Sequence, residues 1–189
     1  MKKPRTVDAT KRRRRLGVTA TAALALAAAL ITIPNAASAY SLHGYKWPDR
    51  NLRIYMNTTS TGNFRNAINQ ASSNYTSATD VNLTNTTTGG PRFTARDYDA
   101  GATDYEGWTD VVHPGGRVES AQSMLNRHYL AGKPVAQLKV VWMHELGHGL
   151  GINHVSPTAR VMHNPATGAY NAGVRNLTSD DIAGINNLY

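Results

Sequence analysis

The segment from residue 144 to residue 154 carries the strongest structural signal in the chain and reads His144-Glu145-Leu146-Gly147-His148-Gly149-Leu150-Gly151-Ile152-Asn153-His154. His144 and His148 are four residues apart, so on a helix both imidazole rings project from the same face. That spacing lets two ring nitrogens reach one metal ion at about 2.0–2.1 Å. Gly151 lies where the helix is expected to end, because glycine adopts positive φ at little cost. The resulting turn is expected to bring His154 back as a third nitrogen ligand.

Three protein ligands leave one position of a tetrahedral zinc ion open for water, which is typical of catalytic zinc sites. Glu145 follows the first ligand, and its side chain is expected to point beside the metal. There it can accept the proton of a zinc-bound water, whose pKa the metal lowers towards about 7. The alternative is an amphipathic helix whose histidines are solvated or buried without a metal. Gly151 and His154 favour the metal site, because both fit its geometry.

Residues 1–39 have the layout of a secretory signal peptide. A basic segment with a lysine–arginine run at residues 11–15 precedes an uncharged, Ala- and Leu-rich stretch at residues 16–33. Ala37-Ser38-Ala39 matches a signal-peptidase site, so cleavage is expected before Tyr40. The alternative is a retained signal anchor, because the apolar run is close to the lower limit for a membrane span. The arginine cluster leaves the export route, Sec or Tat, open.

Most of the positive charge belongs to this leader. The chain has 20 Lys/Arg and 12 Asp/Glu, a formal net charge of +8. Eight of the basic residues and one acid lie in residues 1–39, which leaves 12 basic and 11 acidic residues for residues 40–189. A domain with balanced charge is not expected to bind nucleic acid, which requires a basic face. The chain has no cysteine, so the domain must be stabilised by packing and not by disulfides.

Hydrophobic spacing predicts the order strand, helix, several strands, helix, long loop and helix. Alternating and β-prone runs predict strands at residues 52–56, 81–84, 92–98, 108–112 and 118–125. Helical spacing predicts three helices, at residues 64–75, at 134–150 and from 178 onward. Thr61 or Asn63 is expected to cap the first helix, and Thr178 with Asp181 to form a capping box on the last. The segment 151–176 is predicted to be a loop.

The pattern HExxHxxGxxH at residues 144–154 resembles that of the metzincin zinc peptidases. Those peptidases also have a methionine turn below the metal, and Met162, eight residues beyond His154, stands at a matching position. Three further segments are similar to the matrixins among them: Tyr45-Lys46-Trp47-Pro48, the predicted helix at 64–75, and residues 177–189. The resemblance implies an α+β, metzincin-like fold. It would contain a twisted five-stranded mixed sheet and three helices, with the active-site helix ending at a glycine turn and a Met-turn below the zinc.

The resemblance also implies a function, that of a secreted bacterial endopeptidase whose minimal catalytic domain spans residues 40–189. One catalytic zinc would be held by His144, His148 and His154, with Glu145 as the base. The substrates would be extracellular proteins or peptides, and the mature enzyme would be monomeric and free of the membrane. The alternative is a zinc-containing extracellular binding module without turnover. Glu145 argues against that module, because loss of catalysis usually shows first at the base.

By the same resemblance, substrate would lie extended along an edge strand near Trp108–His113. The pocket for the residue after the cleaved bond would be lined by His163, Asn164 and Pro165.

Several features depart from the resemblance. Without cysteine there is no cysteine switch, and no prodomain is expected between Ala39 and Tyr45. Latency is therefore expected to depend on export or on a separate inhibitor. His163 stands directly after Met162 where matrixins commonly have tyrosine, and Asn164 replaces the tyrosine of astacin-like relatives. No second, structural zinc site can be assembled from the sequence.

An acidic segment could supply oxygen ligands to calcium, which prefers carboxylates and backbone carbonyls. Its acids are Asp97, Asp99, Asp104, Glu106 and Asp110. The alternative is a solvated acidic loop, because no EF-hand-like spacing occurs. The resemblance adds support to the calcium site, but the solvated loop remains the favoured interpretation.

Overall fold

The computed structural model describes residues 40–57, 62–90 and 92–189. The predicted signal peptide at residues 1–39 lies outside this described part, as does Thr61, one of the two predicted caps of the first helix. None of the helices in the described part is long and apolar enough to cross a membrane.

The described residues form seven strands and five α-helices. The strands, in chain order, are β1 (Ser41–Leu42), β2 (Asn51–Met56), β3 (Asn82–Thr86), β4 (Phe93–Tyr98), β5 (Gly107–Val112), β6 (Ser120–Asn126) and β7 (Ile152–Asn153). The helices are α1 (Asn63–Ala78), α2 (Arg127–Leu130), α3 (Val135–Leu150), α4 (Ala166–Asn171) and α5 (Ser179–Leu188).

Five of the strands form a mixed sheet in the order β3-β2-β4-β6-β5. β3, β2, β4 and β6 run parallel, and β5 runs antiparallel to β6 at the edge of the sheet. β1 pairs antiparallel with β7 outside this sheet. The α+β fold with a five-stranded mixed sheet is therefore confirmed, and the predicted edge strand near Trp108–His113 is β5.

The core follows from the periodicity of the sequence. In β2, alternate residues are buried, namely Leu52, Ile54 and Met56, as expected for a strand with one face in the core. α3 contacts α1 on one side, β5 and β6 on another, and also α4. Because it is covered by several elements, α3 is apolar around most of its circumference and nearly all of its residues are buried.

Glycines in and after α3 allow other parts of the chain to approach it closely. A Cβ atom at Gly147 would lie 2.6 Å from the sulfur of Met162, and one at Gly149 would lie 2.5 Å from the ring of Phe93. Gly151 ends the helix with φ 108°, which only glycine adopts readily. The predicted glycine turn is present, and the chain reverses there into β7.

The prediction of a loop across residues 151–176 was wrong, because β7 and α4 lie within it. β7 is only two residues long and is defined by its pairing with β1 more than a hundred residues earlier, so no local pattern marks it. α4 contains Gly168 and starts without a side-chain cap from Pro165. The carboxylate of Glu106 instead accepts a hydrogen bond from the Thr167 amide at 3.0 Å.

Some predicted helix ends also differ. Asn63 is the first residue of α1 and not its cap, because Gly62 precedes it and no side-chain cap bond forms. α3 begins at Val135, one residue after the predicted Pro134, and the short helices α2 and α4 add to the three predicted ones. At α5, Asp181 accepts a hydrogen bond from the Thr178 amide at 2.9 Å, so the predicted capping box is present.

Candidate active site

Three histidine rings converge at the end of α3. The Nε2 atom of His144 lies 3.1 Å from that of His148 and 3.1 Å from that of His154, and the last two are 3.0 Å apart. Ligands of a tetrahedral ion with bonds of 2.0–2.1 Å are separated by roughly 3.3 Å, so one zinc ion fits this spacing. Within the described residues, this is the one cluster of at least three potential ligand side chains that could hold a metal.

The protein fixes two of these rings by their other nitrogen. Nδ1 of His144 lies 2.8 Å from the carbonyl oxygen of Val161, and Nδ1 of His148 lies 3.0 Å from that of Ile152. A carbonyl only accepts, so each Nδ1 carries a proton and donates it, and each Nε2 of a neutral ring keeps a lone pair. Lone pairs that face one another without a proton between them form a donor set suited to a cation.

Electrostatics keep the rings neutral. Burial lowers the pKa of His144 to about 4, against a smaller raising effect of the hydrogen bond to Val161. Burial, followed by the neighbouring His144 and His154, lowers the pKa of His148 to about 2. The pKa of His154 is also lowered, first by burial and then by His163. Neutral imidazole is the form that binds metals, so at neutral pH protons do not compete with the ion.

Met162 packs against α3. It is 2 % exposed, and a Cβ atom on Gly147 of that helix would lie 2.6 Å from its sulfur. The preceding residue, Val161, connects this turn to α5, because its amide donates to the carboxylate of Asp181 at 3.1 Å. The same Val161 accepts from His144. The start of α5 therefore helps to orient a candidate ligand through two hydrogen bonds.

Glu145 is buried at 3 % exposure and lines the same cleft as the three histidines. Its Oε2 accepts a hydrogen bond from the hydroxyl of Thr109 on β5 at 2.9 Å. Burial raises the pKa of Glu145 to about 8, with a smaller raising contribution from Glu106, and the bond from Thr109 acts in the opposite direction. A carboxylate with a raised pKa is a stronger proton acceptor than an ordinary glutamate.

The cleft has a volume of about 410 Å³. Its lining includes Gly107, Trp108 and Thr109 of the edge strand together with Asn164 and Pro165. An edge strand offers unpaired backbone groups to an extended peptide.

The third predicted pocket residue has a different position. His163 does not belong to the cleft lining, because its Nδ1 lies 3.1 Å from the carbonyl oxygen of Ser156. Its ring is also held against Gly168, where an added Cβ would lie 2.9 Å from a ring carbon. Of the three residues predicted for the pocket, the structure thus brings Asn164 and Pro165 to the cleft.

Sequence reasoning missed His43 and Tyr45, which belong to the cleft lining. Nε2 of His43 lies 3.3 Å from Nδ1 of His148, and its ring stacks on Tyr45 with centroids 5.2 Å apart. The Tyr45 hydroxyl donates to the carbonyl of His148 at 2.8 Å. Both residues reach the site because β1 pairs with β7, a long-range contact without a periodic signal. Burial, and then His154 and His113, lower the pKa of His43.

Three of the five acids considered for calcium make other contacts. Asp97 is 1 % exposed and its Oδ2 lies 3.8 Å from Nε of Arg127. Asp99 accepts the amide of Gly101 at 2.9 Å, and Glu106 bonds to α4 as described above. Calcium binding stays a prediction.

An amide side chain organises the loop that contains several of these acids, between β4 and β5. Oδ1 of Asn126 accepts from the amides of Ala100 and His128, each at 3.0 Å. Its Nδ2 donates to the Gly101 carbonyl and to the Thr103 hydroxyl, also at 3.0 Å. Buried polar groups that are satisfied in this way specify one loop conformation. Asn126 therefore helps to fix the loop whose residues Asp104, Tyr105 and Glu106 line the cleft.

The chain was also compared with known proteins. The family model described as matrixin, a peptidase family, matches residues 49–189. No curated protein matches the chain. The family match includes the sheet from β2 onward, the three histidines, Glu145 and Met162.

Proposed function

The chain belongs to the matrixin family of zinc metalloendopeptidases, and we propose that its catalytic centre consists of His144, His148 and His154 as zinc ligands with Glu145 as the general base. The observation that supports this assignment is the convergence of three Nε2 atoms within 3.1 Å of one another. A buried carboxylate lines the same cleft. The site thus combines a place for one metal ion with a proton acceptor.

When bound, zinc would lower the pKa of a water molecule and polarise the carbonyl oxygen of a peptide bond. The chain supplies the remaining functions. Glu145 would accept a proton from the attacking water and then transfer it to the leaving amine nitrogen. Its burial supports this role, because desolvation raises its pKa to about 8. Val161 and Ile152 would hold the rings of His144 and His148 in the orientation that the metal requires.

Protein or peptide substrates follow from the family. We propose that they bind extended along β5, with backbone hydrogen bonds to the free edge of that strand. Asn164 and Pro165, which also line the cleft, would contact a substrate side chain. Cleavage within a chain and not at its end is expected from the family of endopeptidases to which the chain belongs.

We also propose that the protein is secreted as a monomer after removal of residues 1–39. The proposed secretion rests on the basic, apolar and small-residue pattern of the leader. N-terminal sequencing of protein recovered from the culture medium should give Tyr40 as the first residue. Recovery of the chain only from membranes, with Met1 or a nearby residue at its start, would support the signal anchor instead.

The function can be tested on a denatured protein such as casein or gelatin. The purified enzyme is expected to cut it at internal peptide bonds, detected as new termini by mass spectrometry, and a zinc chelator should stop the cleavage. A binding module without turnover would hold the substrate but leave it intact. Intact substrate after prolonged incubation with the zinc-loaded protein would therefore favour the module.

A further inference from the structure

Thr109 lies on the edge strand directly beside the proposed general base. In β5, Gly107 and Thr109 are two residues apart and so face the same side of the sheet. Both are in contact with Glu145 of α3: the Thr109 hydroxyl bonds to the carboxylate, and Gly107 leaves the space that the carboxylate occupies. Nothing in the sequence marks Thr109, because threonine is an ordinary residue in a strand.

The hydrogen bonds around this hydroxyl can be assigned. Oγ1 of Thr109 lies 2.9 Å from both Oε2 and the carbonyl oxygen of Glu145, and 3.0 Å from Oγ of Ser123. Oγ of Ser123 lies 3.1 Å from the same Glu145 carbonyl. Each hydroxyl has one proton to donate, and in the ionised form of Glu145, the form that acts as a base, the carboxylate is a stronger acceptor than the carbonyl. The proton of Thr109 therefore goes to Oε2, and that of Ser123 is available for the carbonyl.

The two carboxylate oxygens of Glu145 consequently have different surroundings. Oε2 is held by Thr109, whereas Oε1 lies over Gly107, where an added Cβ would be only 2.8 Å away. Because Gly107 has no side chain, none from this residue stands between Oε1 and the cleft. The terminal torsion of a glutamate is broad and roughly two-fold, so an unrestrained carboxylate would exchange its oxygens and tilt.

We propose that Thr109 is a positioning residue that holds Oε2 of Glu145 and thereby presents Oε1 for proton transfer. The proposal rests on the proposed function, in which Glu145 is the general base. Loss of the hydroxyl should slow the proton transfer and leave substrate binding intact, because valine preserves the shape and the backbone of β5. Loss of a group that orients another residue of a metal site typically lowers activity by about 10–100-fold.

A purely structural role is the competing explanation, since the hydroxyl also contacts the Glu145 carbonyl and could serve only to attach β5 to α3. The test uses Thr109→Val, the conservative Thr109→Ser, and Thr84→Val as a matched control on the exposed face of β3 at the opposite edge of the sheet. For each full-length variant, kcat, KM, zinc affinity by chelator competition and the thermal unfolding temperature are measured. Thr109→Ala replaces Thr109→Val if valine prevents folding.

We expect Thr109→Val to lower kcat by about 10–100-fold while KM and zinc affinity stay within about two-fold of wild type. Thr109→Ser should restore most of kcat, and Thr84→Val should resemble wild type. A second measurement needs no metal: the side-chain carboxyl ¹³C signal of Glu145, assigned by its absence in Glu145→Gln, should shift in zinc-free Thr109→Val. It should return to its wild-type position in Thr109→Ser.

Wild-type kcat in Thr109→Val would overturn the proposal, and so would a Glu145 carboxyl signal that does not move. An equal loss in the valine and serine variants would assign Thr109 a structural role. Glu145→Gln separates these failures from failure of the proposed function. If it is inactive while Thr109→Val is fully active, only the role of Thr109 is wrong; if it is active, the proposed base itself is wrong.

Discussion

Replacing Glu145 with glutamine is expected to lower kcat/KM by about 10²–10⁴-fold, the typical contribution of general-base catalysis, because glutamine cannot accept the proton. The variant should still bind one zinc ion per chain, since the rings of His144 and His148 are oriented by backbone carbonyls and not by the carboxylate. Peptidase kinetics and metal analysis of the same preparation measure both quantities. Glu119→Gln, at an exposed glutamate between β5 and β6, is the matched control and should remain active.

The same variant should change how the stability of the zinc-free protein depends on pH. Burial raises the pKa of Glu145 to about 8 from 4.5, so the native state binds more protons than the unfolded state between these values. The contribution of this group is therefore fully present below pH 4.5 and is lost as pH rises to about 8. Urea unfolding across this range should show the loss in wild type and a weaker one in Glu145→Gln. Identical profiles would mean that the carboxylate is not desolvated.

Replacing His154 with alanine is expected to weaken zinc binding by roughly 10²–10³-fold. Apparent zinc binding free energies of about 10–16 kcal/mol in four-ligand sites correspond to about 2.5–4 kcal/mol per ligand. His144 and His148 would remain on the helix with their Nε2 atoms 3.1 Å apart, so residual binding by two ligands is expected. Competition with a chelator of known affinity gives the change directly.

His128→Ala provides the control for this experiment. His128 is exposed and packs against Tyr129, away from the triad, so its removal should leave zinc affinity unchanged. Zinc affinity of His154→Ala equal to that of wild type would show that the third ligand has been assigned to the wrong residue. Because His154 is less buried than His144, its loss is also the least disruptive to the core.

Local features made the cluster of three histidines predictable. The four-residue spacing of His144 and His148 fixes their common face on any helix, and Gly151 marks the point where only positive φ lets the chain reverse. Met162 lies eight residues after His154, and this spacing allowed the sequence to predict a methionine turn. The alternating burial of β2 and the helical stripe of α1 likewise depend on neighbours within one element.

Residues that reach the site through long-range pairing could not be predicted. His43 stands 105 residues before His148 and arrives there only because two-residue strands pair. In the sequence Thr109 is an ordinary strand residue, and its contact with Glu145 of α3 is seen only in the folded structure. Asn126 directly follows the strand predicted at residues 118–125 and was not singled out, yet its side-chain amide makes four hydrogen bonds of 3.0 Å to the adjoining chain. Such polar networks form only in the folded protein, and the hydrophobic periodicity of the sequence does not reveal them.

Returning zinc to the metal-free enzyme tests the central claim most directly. The metal is removed with a chelator, the chelator is dialysed away, and the rate of casein cleavage is followed as Zn²⁺ is added in known equivalents. We predict no cleavage without zinc, a linear rise, and a plateau at one equivalent per chain, with His154→Ala needing a higher zinc concentration. Full activity of the zinc-free protein, or a rate that does not respond to added zinc, would contradict the assignment of this site as a zinc peptidase centre.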